Sequence, residues 1–104
     1  MPVSDPSHFL VVKVDPDIVD MVDDFLENQR REVLKLRTAL ATDQWQTVRR
    51  IGNGLKGIGG MYGFSWITEA GRVIEQGDPS EIPVLAQQLE GYLQEVRYEA
   101  GDWG

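Results

Sequence analysis

The chain has 104 residues, enough for one domain with a single hydrophobic core, and its lack of cysteine excludes disulfide bonds and thiolate metal sites. Seventeen acidic against ten basic residues give a formal net charge of −7, which disfavours nucleic acid as a partner. The longest apolar run, Phe9 to Val12, is far shorter than the about 20 residues of a membrane span, and no secretion signal is recognisable, so we predict a cytoplasmic protein with no membrane partner.

The N-terminal segment carries little sign of regular structure. Residues 1–8 are rich in proline, serine and aspartate, which favour turns, so we predict a loose tail at the start of a single domain spanning residues 1–104. Phe9 to Val14 is apolar and β-branched, as in a strand, but no second strand candidate is available to pair with it. We therefore predict a short extended or helical lead-in that packs on the rest of the domain.

Two helices are predicted next, from apolar residues spaced three and four apart. The first runs from about Pro16 to Ala41, with Asp15 as its N-cap and Gln29 as the polar exception in its apolar stripe. Thr42 and Asp43 break this helix, and the second runs from about Gln44 to Met61.

Two further helices complete the chain. Ser65 is predicted to cap a helix that Gly77 ends, and Ser80 to cap a last helix that ends before Gly101. Four amphipathic segments joined by short loops predict an all-α fold, an antiparallel four-helix bundle with a short N-terminal lead-in. The aromatic residues fall mostly at helix starts or on apolar stripes, which favours core positions over a stacking surface for bases; Trp103 has no predicted place.

The second helix carries a cluster of glycines in residues 52–64, although each interior glycine costs roughly 1 kcal/mol relative to alanine. Helical spacing places Gly52, Gly59 and Gly63 near the apolar side, where we predict close helix packing. The opposite face is predicted to be polar, cationic and sterically open, which suits a phosphoryl group and the backbone of a partner. This face comprises Asn53, Arg49, Arg50, Lys56, Gly57 and Gly60.

Other chemistries are disfavoured. Gly52 to Gly57 satisfies the Gly-x-Gly-x-x-Gly dinucleotide pattern, but that pattern requires a preceding β-strand, whereas the preceding residues have helical spacing. Lys56 lacks the Gly-Lys-Ser/Thr ending of a P-loop. The only histidine, His8, lies in the tail, which disfavours it as a phosphoacceptor and as the base of a catalytic triad. No histidine set has ligand spacing, so neither a metal nor an organic cofactor is predicted.

The segment Asn53-Gly54-Leu55-Lys56-Gly57-Ile58-Gly59-Gly60 resembles the His-x-x-Lys-Gly-x-x-Gly pattern of histidine-containing phosphotransfer (HPt) domains. The resemblance extends from about Val12 to Tyr98, and it implies that Asn53 occupies the phosphoacceptor position. It further implies a phosphorelay module that docks a response-regulator receiver domain and/or a histidine kinase, is not an enzyme, and leaves any magnesium to the receiver. Glu75, with Gln76 beside it, then corresponds to a glutamine that some members place near the phosphohistidine.

Asparagine at position 53 changes the expected chemistry. The lone pair of an amide nitrogen is delocalised into the carbonyl, so Asn53 is not expected to accept a phosphoryl group. A natural binding-only domain and a deliberate change in an active protein are both compatible with the sequence, and the carboxylate of Glu75 favours natural loss of the acceptor. The rival hypothesis is a structural or oligomerisation bundle with no phosphorelay role, whose glycines serve helix packing alone.

Overall fold

Four helices build the domain in the computed structural model, which describes residues 5–101. They confirm the predicted all-α bundle, and short loops connect them. Two short strands flank the four helices in the chain. The elements are β1 (Val11–Val14), α1 (Val22–Ala41), α2 (Trp45–Tyr62), α3 (Ser65–Gln76), α4 (Ile82–Glu95) and β2 (Arg97–Ala100).

The strand pair corrects two predictions. The lead-in was expected to have no strand partner, and the last helix was expected to continue almost to Gly101. Instead α4 ends at Glu95, Val96 is extended with ψ 138°, and β2 pairs with β1 in parallel, with Val11 opposite Arg97 and Val14 opposite Ala100. The buried side chains of Val12 and Val14 alternate with exposed ones, so the pair closes over the core on one face only.

The helix starts also differ from prediction. α1 begins at Val22 after a 3-10 turn, while Asp15 caps the preceding loop by accepting a hydrogen bond from the amide of Asp17 at 2.9 Å. Pro6–Phe9 forms a 3-10 helix where a loose tail was predicted for residues 1–8; residues 1–4 of that tail, and Trp103, lie outside the described residues. The first backbone amides of a helix have no partner within the helix, and an N-cap side chain supplies one. Asx turns and 3-10 turns can supply such partners too, so a capping residue in the sequence does not by itself define where the helix begins.

Glycine allows α2 and α3 to approach at backbone distance. A Cβ atom on Gly52 would lie 2.4 Å from the backbone nitrogen of Glu75, and one on Gly71 would lie 2.4 Å from that of Lys56. A Cβ atom on Gly59 would lie 2.9 Å from the backbone nitrogen of Thr68. The packing role predicted for Gly52 and Gly59 is confirmed. Gly71, which the sequence analysis did not single out, completes the contact from the other helix.

Gly63 lies in the tight connection after α2 and not in the packing position that its helical spacing predicts. It is exposed and ends α2 in the left-handed region, with φ 82°, where its amide donates to the carbonyls of Gly59 and Gly60. Only glycine adopts this conformation at no steric cost, so the residue is a helix C-cap and not a packing position.

Aromatic side chains fill the core beside this helix end, as predicted. The ring of Phe25 stacks on that of Tyr62 with centroids 4.3 Å apart and lies 5.1 Å from that of Phe64. Trp66, at 1 % exposure, packs against Tyr92 at 4.9 Å. These contacts anchor α1, α3 and α4 around α2 and leave its opposite side facing solvent. None of the helices within residues 5–101 combines the length and the apolar character that crossing a bilayer requires.

Candidate functional site

Three of the residues predicted from sequence donate hydrogen bonds to Glu75 on α3. One carboxylate oxygen, Oε2, accepts a hydrogen bond from Asn53 Nδ2 at 2.6 Å. The other, Oε1, pairs with Lys56 Nζ at 2.6 Å and accepts a weaker bond from Gln76 Nε2 at 3.3 Å. Asn53 and Lys56 lie on one side of α2, three residues apart, so one carboxylate bridges both.

The glycine contact between α2 and α3 makes this bridge possible. Gly52 lies directly against the backbone of Glu75, and Gly71 against that of Lys56. The Glu75 side chain is 19 % exposed and the Lys56 side chain 35 %. With the two backbones in contact, a glutamate on α3 reaches α2 without being extended into solvent, so the cluster is held by both helices.

The electrostatics of the cluster follow from these bonds. The hydrogen bond from Lys56 is the main cause that lowers the pKa of the Glu75 carboxyl, and the bond from Asn53 lowers it further. Glu75 is therefore ionised at neutral pH, and its negative charge balances the ammonium of Lys56. The net positive charge of this face is therefore smaller than the sequence predicted.

Acid titration is expected to remove a stability contribution that Glu75 makes. Because the folded pKa is lowered, this contribution is present above the ordinary value of 4.5 and is lost as the pH falls through the folded pKa. Thermal unfolding of the unsubstituted chain and of Glu75→Gln, followed from pH 7 to about pH 3, should therefore show a difference in Tm that closes only on the acid side.

Glu69→Gln is the matched control, because Glu69 lies on the same helix in an exposed ion pair with Arg72 at 2.7 Å. A Tm difference for Glu75→Gln that is constant across the pH range would contradict the assignment of Glu75 as an ionised, bridged carboxylate.

Arg49 does not belong to the open cationic face as predicted. Its Nη1 donates to the carbonyl oxygens of Ile74 at 3.2 Å and Gly77 at 2.9 Å, and its guanidinium lies 5.8 Å from the centroid of the Trp45 ring. Arg49 thus satisfies free carbonyls at the C-terminal end of α3, where a cation is also favoured by the helix dipole. Arg50 is exposed and has no ion-pair partner among residues 5–101.

A sterically open strip continues from Asn53 along α2. A Cβ atom on Gly54 or Gly57 would meet no atom within 4 Å, and one on Gly60 would meet only Thr68 Oγ1, at 3.7 Å. Met61 borders the strip with 74 % of its surface exposed. We call these five residues the α2 face. The predicted exposure of Gly57 and Gly60 is confirmed.

His8 takes no part in this cluster. It is exposed in the 3-10 helix Pro6–Phe9 and borders a cavity together with Lys13 and Ser65, whereas Asn53 is bonded to Glu75. Over the described range 5–101, no three His, Cys, Asp or Glu residues are grouped so that they could hold a metal ion.

Comparison with protein families matches residues 20–99 to a family model described as Hpt domain. The match spans all four helices and most of β2. Searches of curated proteins and of solved structures gave no match.

Proposed function

Since this chain belongs to the Hpt domain family, the phosphotransfer modules of two-component systems, we propose that it docks a receiver domain or a histidine kinase through the α2 face without carrying a phosphoryl group itself. The observation that supports this most is the state of Asn53. Its side chain donates to Glu75 at 2.6 Å, and the resemblance of residues 53–60 to the family pattern assigns it to the acceptor position.

The chemistry of the amide supports the loss of transfer. A histidine acceptor uses a neutral imidazole nitrogen with a free lone pair, whereas the nitrogen of an asparagine amide is only a donor. One of the two Nδ2 hydrogens is donated to the Glu75 carboxylate, which orients the amide without making it nucleophilic. Hpt domains are phosphocarriers and not catalysts, so loss of the acceptor leaves binding as the activity that the surface still supports.

The shape of the α2 face supports docking. Bare glycine on an exposed helix face lowers helix stability by roughly 1 kcal/mol per residue and packs against nothing within the domain. Gly54 and Gly57 therefore have no packing role, but they let another backbone come close to Asn53. Met61 adds an exposed apolar side chain at the end of the strip, of the kind that contributes to protein interfaces.

Gly57→Leu tests the docking proposal. A leucine there projects from an open face, so we expect receiver affinity to fall by about tenfold or more, equivalent to about 1.4 kcal/mol, while the Tm stays the same or rises, since leucine is a better helix former than glycine. Calorimetric titration with magnesium-loaded receiver domains measures the affinity.

Gly91→Leu is the matched control, because a Cβ atom on Gly91 also meets nothing within 4 Å but the residue lies on α4. Unchanged receiver affinity in Gly57→Leu, or an equal loss in both variants, would place the docking surface elsewhere.

A further inference from the structure

The Glu75 carboxylate lies between an amide and an ammonium that would otherwise face the partner. Its two oxygens are 2.6 Å from Asn53 Nδ2 and 2.6 Å from Lys56 Nζ. Each strong donor of the cluster thus already makes one short bond to an acceptor from within the chain. A second anion that approached the same donors would compete with a carboxylate held by charge-assisted bonds.

This arrangement changes what the cluster offers to a phosphoryl group. A free lysine would attract a phosphoryl dianion, but the charge of Lys56 is balanced by Glu75 at contact distance. The dianion would have to displace Glu75 or lie beside its negative charge. Because the whole chain carries a formal net charge of −7, its more distant residues do not offset this cost.

Glu75 has little freedom to move away. Its backbone nitrogen lies against Gly52, where a Cβ atom would be only 2.4 Å distant, so α3 cannot shift along or away from α2 without breaking the contact. Gln76 adds a further bond to Oε1 at 3.3 Å. The backbone that carries Glu75 is thus fixed against α2, and the bonds to Asn53, Lys56 and Gln76 hold its carboxylate next to Asn53.

We propose that Glu75 makes the domain selective for the unphosphorylated, magnesium-loaded state of a receiver, so that phosphorylation of the receiver releases it. The inference rests on the proposed docking function. An unphosphorylated receiver presents a carboxylate pocket compensated by its divalent cation, whereas phosphorylation converts one aspartate monoanion into an acyl phosphate dianion and so adds one negative charge next to the balanced cluster of Asn53, Lys56 and Glu75. The domain then binds a receiver before phosphorylation and releases it afterwards.

The test compares two states of one receiver by calorimetric titration. The receiver is loaded with magnesium and used with and without beryllofluoride, which mimics the aspartyl phosphate. The unsubstituted chain is expected to bind the beryllofluoride-free state about tenfold more tightly, as one unbalanced charge near the interface would require. Glu75→Gln should remove most of this preference, because it deletes the negative charge that balances Lys56. Glu69→Gln, on the same helix and away from Asn53, should keep it.

Each outcome separates the two proposals. Equal binding of both receiver states by the unsubstituted chain would overturn the selectivity and leave docking intact, and so would a Glu75→Gln variant that keeps the full preference. No binding in either state across a broad receiver panel would remove receiver docking itself and the selectivity with it. A salt series on the unsubstituted chain does not depend on the variant folding: the preference should shrink as ionic strength rises, and a salt-independent preference would contradict its electrostatic origin.

Discussion

Replacing Asn53 with histidine is expected to create a phosphoacceptor in a chain that has none at this site. Asn Nδ2 and His Nδ1 are both bonded to Cγ of their side chains. The imidazole can therefore donate the same hydrogen bond to Glu75 that the amide donates at 2.6 Å. That bond selects the tautomer in which Nε2 keeps its lone pair and faces solvent. Lys56, Gly57 and Gly60 already have the spacing of the family pattern.

The measurement is incubation with phosphorylated receiver domains that carry a labelled phosphoryl group, followed by an acid-lability check. The unsubstituted chain should stay unlabelled and Asn53→His should gain acid-labile label. The double variant with Glu75→Gln should be labelled faster, because the glutamine oxygen can still accept from the imidazole while the negative charge beside the incoming phosphoryl group is removed.

His8→Ala is the control for the other histidine. Label on the unsubstituted chain that disappears in His8→Ala would contradict the assignment of Asn53 to the acceptor position. A lack of label on Asn53→His across a broad receiver panel would show that more than the nucleophile separates this chain from active family members.

Gly71→Ala is expected to cause a large loss of stability from the addition of one methyl group. The new Cβ atom would lie 2.4 Å from the backbone nitrogen of Lys56 and 2.7 Å from the carbonyl oxygen of Gly52. Backbone atoms cannot rotate aside, so α2 and α3 must separate, and overpacking of this kind costs about 2–3 kcal/mol. Urea denaturation measures the free energy of unfolding.

Gly54→Ala is the matched control on the open side of α2. Its Cβ atom meets nothing, so the higher helix propensity of alanine should raise the free energy of unfolding by about 0.5–1 kcal/mol. Gly71→Ala is therefore expected to lower the free energy of unfolding, and Gly54→Ala to raise it. A Gly71→Ala variant as stable as the unsubstituted chain would show that α2 and α3 do not pack at backbone distance.

The helices could be predicted from sequence because the apolar pattern of each helix lies within its own residues. The strand pair could not be predicted in this way. Apolar residues repeat along each helix at intervals of three and four, so the pattern is local. The partner of Lys13 in the strand pair is Glu99, 86 residues away, and neither four-residue strand is stable alone. Val96 fits the apolar spacing of α4 but is extended, because its side of the core is covered by the strand pair and not by another helical turn.

The sequence predicted which residues form the candidate site, but not the hydrogen bonds and the ion pair that connect them. Spacing along α2 identified Asn53, Lys56 and Gly57 as neighbours, since contacts within one helix follow from its geometry. That Glu75 balances Lys56, and that Arg49 serves the end of α3, depends on how closely two helices approach. Gly52 and Gly59 signalled this approach on α2, and Gly71 carried the matching signal on α3, since a glycine inside an amphipathic helix indicates close approach of another backbone.

Chemical-shift mapping of a receiver domain onto the isotope-labelled chain tests the docking claim most directly. With a magnesium-loaded receiver, we expect the perturbed amides to cluster on the α2 face, at Gly54, Gly57, Gly60 and Met61, and to extend to Glu75 on α3. Perturbations confined to another surface, such as the side of α1 and α4 that exposes Leu34, would contradict docking through the α2 face. A spectrum that no receiver or kinase changes, but that depends on the concentration of the chain itself, would favour an oligomerisation bundle instead.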